Sequence, residues 1–301
     1  MIEFEGGLPE LNSPTLIAAF EGWNDAADSA TGVVEHLEDV WKAEPFAALD
    51  PEDYYDFQVN RPQISLDEDG LTSTIAWPST RLSIARPPLA PCDIVLVRGI
   101  EPSMRWRQFC ADILDIAEQL GVHTIVTLGA LLADSPHTRP VPVTGTTSNP
   151  ELQEELSLEP SRYEGPTGIV GVLQNAATEA DLRAVSFWAA VPHYVAQPPC
   201  PKATLALLRH LEELLDSPLP LGELTEQAEA WQRGVDELAR EDAEVREYVE
   251  SLEEQRDATD LPEASGEAIA KEFERYLKRR QRDEGPGHGP LGPGGGPTGP
   301  V

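Results

Sequence analysis

Basic residues are scarce in this sequence: 22 Lys and Arg stand against 53 Asp and Glu, for a formal net charge of −31. Such a surface repels phosphate backbones, which excludes nucleic acid as a partner unless a local basic patch exists. It disfavours an anionic membrane for the same reason. Cysteine is nearly absent. Cys92, Cys110 and Cys200 match no zinc or redox spacing, and an odd number suits a reducing cytosol. The N-terminus is acidic and lacks the basic and apolar regions of a secretion signal. No apolar run approaches the length needed to span a bilayer. Missing too are a Walker loop, Gly-x-Ser-x-Gly, His-Glu-x-x-His and, outside the Gly/Pro-rich tail, Gly-x-Gly-x-x-Gly. His, Cys and acid spacings support no metal site. The expectation is a cytoplasmic protein with no cofactor and no metal, one or two domains long at 301 residues.

What is present first is a strand, a glycine turn and a helix start. Leu16 to Phe20 is wholly apolar, as in a strand covered on both faces. Gly22 permits a sharp turn, and Asn24 or Asp25 can cap the helix expected from Ala26 to Trp41. A short strand follows at Phe46–Leu49. Asp50 to Asn60, acidic and aromatic, reads as a surface loop or a lid. Gln63–Leu66 and Leu71–Trp77 flank Asp69-Gly70 and predict a β-hairpin.

Further strands are expected at Arg81–Ala85, Asp93–Arg98, Val122–Leu128, Val141–Asn149, Ile169–Leu173 and Arg183–Val191. Helices are expected from Ser103 to Leu120, Pro150 to Leu156 and Thr204 to Leu215. This alternation predicts an α/β fold with a largely parallel sheet covered by helices. From Leu221 to Arg256 the chain turns charged, with a narrow apolar stripe over about ten helical turns. A second helix at Ala264–Arg282 would complete a C-terminal helical hairpin. The last 17 residues hold 8 Gly and 5 Pro and predict disorder. The expected division is a core at 1–217, a helical region at 218–284 and a tail at 285–301.

Four strand ends carry polar residues beside glycine or proline. In a parallel sheet they gather at one edge and form a crevice from Glu21, Asn24, Asp25, Arg98, Glu101, Thr146, Ser148 and His193. Each also has a structural reading: Arg98 with Glu101 as an ion pair, Thr146 and Ser148 as turn residues, His193 as a rim histidine. Cys110 reads as core and His123 as structural, while Cys200 between prolines reads as exposed.

Four segments together carry a resemblance to a known family. They are Phe20-Glu21-Gly22-Trp23-Asn24-Asp25-Ala26-Ala27; Arg98-Gly99-Ile100-Glu101-Pro102 with Trp106 and Phe109; Gly165-Pro166-Thr167-Gly168-Ile169; and Val191-Pro192-His193-Tyr194. The sequence resembles the proteasome assembly chaperone 2 family, and within it the actinobacterial members. The resemblance implies a three-layer α/β sandwich like that of nucleoside phosphorylases and related hydrolases, and homo-oligomers, with a trimer expected. The resemblance implies that eukaryotic relatives act in pairs to chaperone proteasome α-ring assembly, reaching the ring through a C-terminal motif of a hydrophobic residue, tyrosine and a basic or variable residue. The ending Gly-Pro-Thr-Gly-Pro-Val does not match that motif. Two functions follow as expectations. One is a non-enzymatic assembly or interaction protein with partners at its C-terminal helices. The other is an enzyme or sensor that binds a nucleoside-like polar metabolite in the crevice.

Overall fold

The computed structural model describes residues 2–4, 7–66, 70, 72–158, 161 and 163–260. The chain divides into two units, Met1–Glu254 and Gln255–Val301. Almost all described structure lies in the first. Its centre is a mixed sheet. The strands are β1 (Ile2–Phe4), β2 (Thr15–Glu21), β3 (Glu44–Leu49), β6 (Thr80–Ala85), β7 (Ile94–Ile100), β8 (Thr124–Ala133), β9 (Val143–Thr146) and β10 (Arg183–Pro192). A separate two-stranded sheet pairs β4 (Gln63–Leu66) with β5 (Ser73–Ala76).

The large sheet runs β1-β3-β6-β7-β2-β8-β10-β9. The expected parallel arrangement holds for its centre, where β7, β2, β8 and β10 are parallel neighbours. Both flanks are antiparallel. The central strands are apolar on both sides because helices cover both faces. Ile17 and Ala19 of β2 pack with α1 (Ser29–Val40) and α5 (Pro201–Leu215). Leu16, Ala18 and Phe20 pack with α2 (Trp106–Gln119) and α4 (Ile169–Glu179). This is the α/β fold the alternation implies.

Three local readings change. Ile169–Leu173 is the start of helix α4 and not a strand. Its buried residues Ile169, Val170, Leu173 and Ala177 fall on one helical face, a pattern that a short apolar run does not separate from a strand. The expected helix Leu221–Arg256 is broken where Asp242 is extended, giving α6 (Leu224–Glu241) and α7 (Ala243–Asp260). Leu224 and Ala228 of α6 join the buried cluster of α1 and α5. The helix at Ala264–Arg282 and the tail lie outside the described residues. Finally, the loop at 50–60 buries Tyr54 and Tyr55. Their hydroxyls donate to Asp112 Oδ2 (2.5 Å) and to the Ile100 carbonyl (2.9 Å), so the loop is anchored to the sheet edge. Ser103, the expected start of this helix, lies before α2 and accepts from the Asp56 amide (3.1 Å) in this loop.

Candidate functional site

The strand β2 ends at Glu21, and Gly22 takes φ +114°, a left-handed value that a Cβ resists. The turn that follows buries Asn24 and Asp25. Asp25 accepts from the Ala30 amide (2.6 Å), the Thr31 amide (3.2 Å) and the Thr31 hydroxyl. A carboxylate thus satisfies the free N–H groups at the start of α1 and meets the positive end of its dipole. Burial still pushes the Asp25 pKa up, against those hydrogen bonds.

Asn24 points to the other face of the sheet. Its Nδ2 donates to Glu101 Oε1 (2.6 Å), and the same oxygen accepts the Ile169 amide at the start of α4 (2.9 Å). The redefinition of α4 is what brings this helix N-terminus to the strand ends. Gly168 precedes it so closely that a Cβ there would overlap Asn24 Oδ1 and lie 2.8 Å from Glu101 Oε1. Three of the family-like segments therefore converge on one junction: the turn after β2, the end of β7 and the entry to α4.

Glu21 and Arg98 lie on the α1 face. Arg98 Nε donates to Glu38 Oε2 (3.0 Å), and Glu35 lies 4.0 Å from its guanidinium. The expected Arg98–Glu101 pair does not form, because residues three apart on a strand point to opposite faces. Glu38 also accepts from Ser83 (2.8 Å), so it ties α1 to β6 and β7. Burial raises the Glu21 pKa. Arg98 opposes that shift, and Asp28, Asp25 and Glu35 add to it.

Thr146 and Ser148 do not join this edge. Strand β9 runs antiparallel to β10, with Thr146 opposite Ser186, so the chain from Thr146 onward heads to the strand N-termini. The Thr147 hydroxyl donates to the Ala184 carbonyl (2.6 Å), and Ser148 meets Thr178 (3.2 Å) near the end of α4. The expectation of four converging ends assumed a parallel β9, and that assumption is corrected. A small cavity at this opposite edge is lined by Thr15, Cys92, Thr124, Glu155 and Arg183. His123 lies at the same edge, where its amide donates to the Pro14 carbonyl (3.2 Å), in keeping with a structural role.

His193 does follow the C-terminal end of β10, but in a separate cluster. It lies 3.3 Å from Asp134 and edge-on to Tyr248 of α7. Beside it sits a buried group that sequence reasoning did not single out. His137 is 1% exposed; its Nδ1 faces the Tyr194 hydroxyl (2.8 Å) and its Nε2 faces Asp236 of α6 (3.0 Å). Tyr194 also accepts the His137 amide (2.8 Å). One proton arrangement satisfies all of these: Tyr194 donates to Nδ1, and Nε2–H donates to Asp236. Lys202 donates to the carbonyls of His137 and Arg139 and to Gln232 of α6. The fourth family-like segment thus anchors α6 and α7. The Tyr194 in that segment was the available signal; its partners are distant in sequence and were not.

Cys110 is buried, as expected, and Cys200 is buried too, against expectation. Cys200 sits just before α5, and its amide donates to the Ala27 carbonyl (3.0 Å), which draws it beneath the turn after β2. Among the described residues, no group of three or more His, Cys, Asp or Glu is placed to hold a metal. No described helix is long and apolar enough to cross a membrane.

Comparison with known proteins follows the same lines. A search of curated proteins returns no match. A solved PAC2 family protein from Streptomyces avermitilis is 62% identical, covering 78% of this chain and 99% of its own, with a TM-score of 0.74. A Mycobacterium tuberculosis proteasome-assembly chaperone homologue is 53% identical, with the same coverage and a TM-score of 0.72. At 17% identity, an archaeal proteasome activator from Pyrococcus furiosus shares the fold, covering 79% of this chain and 98% of its own at a TM-score of 0.63. The PAC2 family model matches residues 19–239. On a match of that extent, joined to these identities, the chain belongs to the PAC2 family.

Proposed function

We propose that this chain is a non-enzymatic, homo-oligomeric interaction protein of the assembly-chaperone type, with proteasome core subunits as its partner class. The observation that carries this reading is the 53% identity, over 78% of the chain, to a proteasome-assembly chaperone homologue. The geometry of the strand ends supports it. In an open α/β sheet, ligand anions sit where helix N-termini meet the strand ends. Here Asp25 and Glu101 already occupy the starts of α1 and α4. The bonds that Asp25 and Glu101 make to these helix starts, and that Asn24 makes to Glu101, support a structural use of those side chains. This reading places the protein in the cytoplasm as a trimer with a phosphorylase-like architecture and no phosphorylase chemistry, since chemistry resides in sites and not in folds.

The test is direct. The purified chain is mixed with recombinant proteasome α- and β-subunits of its own source, and ring assembly is followed by native mass measurement. The expected result is a complex of chain with subunits and faster appearance of full rings. No complex and no change in assembly rate would overturn the proposal. So would a melting-temperature rise with a nucleoside or other small metabolite that is lost in Glu21→Ala. A bound ligand stabilises by about 2.7 kcal/mol at a hundred times its dissociation constant, which such a screen detects readily.

A further inference from the structure

Helix α6 changes its support part-way along. Leu224 and Ala228 belong to the buried cluster of α1 and α5, and Trp231 packs against it. Beyond Trp231, among the described residues, neither α6 nor α7 adds a side chain to a core cluster. Val235, Ala239, Val249 and Leu252 are buried, but outside both clusters. Gly234 stands at the change. A Cβ there would meet none of the described residues within 4 Å, so no packing demands a glycine. Glycine inside a helix weakens it, because its backbone loses more freedom on folding than that of any other residue. The helix is therefore softest where its apolar support ends.

The fastenings beyond Gly234 are polar, and they land on one loop. Asp236 faces His137 Nε2 (3.0 Å). Tyr248 donates to Asp134 (3.0 Å) and lies edge-on to Tyr194. Glu253 accepts from the Thr138 hydroxyl and from Arg139 (3.3 Å). On the near side of the glycine, Gln232 accepts from Lys202 (2.7 Å), which also donates to the carbonyls of His137 and Arg139. The loop at 134–139 is thus tied to the core and to the near half of α6 whether or not the far half is in place. A hydrogen bond exchanged for one to water contributes less than a fully buried apolar side chain. A segment held in this way opens at a lower free energy than the core unfolds. We infer that residues 235–254 form a strap that opens as one unit about Gly234, ahead of the core, and that its closed state screens His137 and Tyr194 at the end of β10. The strap gates access to the Val191-Pro192-His193-Tyr194 segment, and this holds whichever partner the chain meets.

The test is native-state hydrogen exchange of the full-length chain at neutral pH, run beside modification of its histidines by diethyl pyrocarbonate. The expected result is that residues 235–254 exchange together, about tenfold or more faster than residues 228–232 once intrinsic rates are corrected for. Modification of His137, which is 1% exposed, should rise and fall with that opening. Asp236→Ala with Glu253→Ala removes two fastenings and should raise both rates about tenfold, leaving residues 228–232 and the central strands unchanged. Gly234→Ala should lower both rates about fivefold, the helix preference of alanine over glycine. Protection that runs evenly across Gly234 overturns the inference. So does His137 modification that does not follow the strap, or a Gly234→Ala variant with the wild-type rates. Should the double variant fail to fold, the wild type and Gly234→Ala decide the matter by themselves.

Discussion

Gly168 has no room for a side chain, since a Cβ would overlap Asn24 and crowd Glu101. Gly168→Ala is therefore expected to cost about 1–3 kcal/mol, the usual penalty for forcing an atom into a packed site. The cost should shrink in an Asn24→Ala background, where the obstructing amide is gone. A double-mutant cycle of urea unfolding reads this coupling. Strictly additive costs would show that the two residues do not meet. The same junction is expected to make Glu101→Ala a costly truncation, read in the same urea unfolding. Glu101 serves Asn24 and the first amide of α4 together, and Glu101→Ala would leave both donors buried without an acceptor, at about 1–3 kcal/mol each.

Helix α6 is held by an element-scale contact through Asp236 and Gln232, which meet His137 and Lys202. Burial lowers the His137 pKa, and Asp236 opposes this first; Lys202 lowers it further and Glu253 raises it. The sign follows from proton counts. The unfolded chain protonates His137 near pH 6.5, and the folded chain protonates it only at lower pH. In that window the unfolded state binds more protons, so stability rises with pH and is lost as pH falls below 6.5. Lys202, also lowered by burial, acts in a separate alkaline window below its ordinary value of 10.5. Mild acid should therefore lower the hydrogen-exchange protection of α6 amides, corrected for their intrinsic rates, before that of the central strands. In His137→Gln the acid dependence should flatten. An α6 exchange rate with the same pH profile in both proteins would show that another group governs it.

For the whole molecule, the charge of −31 opposes association of copies, and salt screens that repulsion within about 10 Å at 0.1 M. Self-association of this chain should accordingly tighten as sodium chloride rises from low to physiological strength. Light scattering against salt concentration checks this. Dissociation with added salt would instead indicate an interface of ion pairs. The same net charge gives basic partner surfaces long-range attraction, so binding to any such surface should weaken over that salt range.

Sequence alone determined the α/β class, because apolar runs such as Leu16–Phe20 and Val122–Leu128 alternate with helical periodicity and need cover on both faces. It also determined the β4–β5 hairpin and the family, through four short segments. These are local signals, legible over a few residues. Tertiary structure decided what those segments do. Glu101 and Arg98 stand three residues apart, and only the strand's alternation sends one to α4 and the other to α1. The antiparallel course of β9 removed Thr146 and Ser148 from the strand-end crevice. Ile169–Leu173 reads as a strand from its short apolar run, and only its neighbours make it the start of a helix. His137 and Asp236 lie 99 positions apart, and no periodicity links them before the chain folds. Pairing over such distances depends on strand order and direction, which a single sequence encodes only through the packing of the complete sheet.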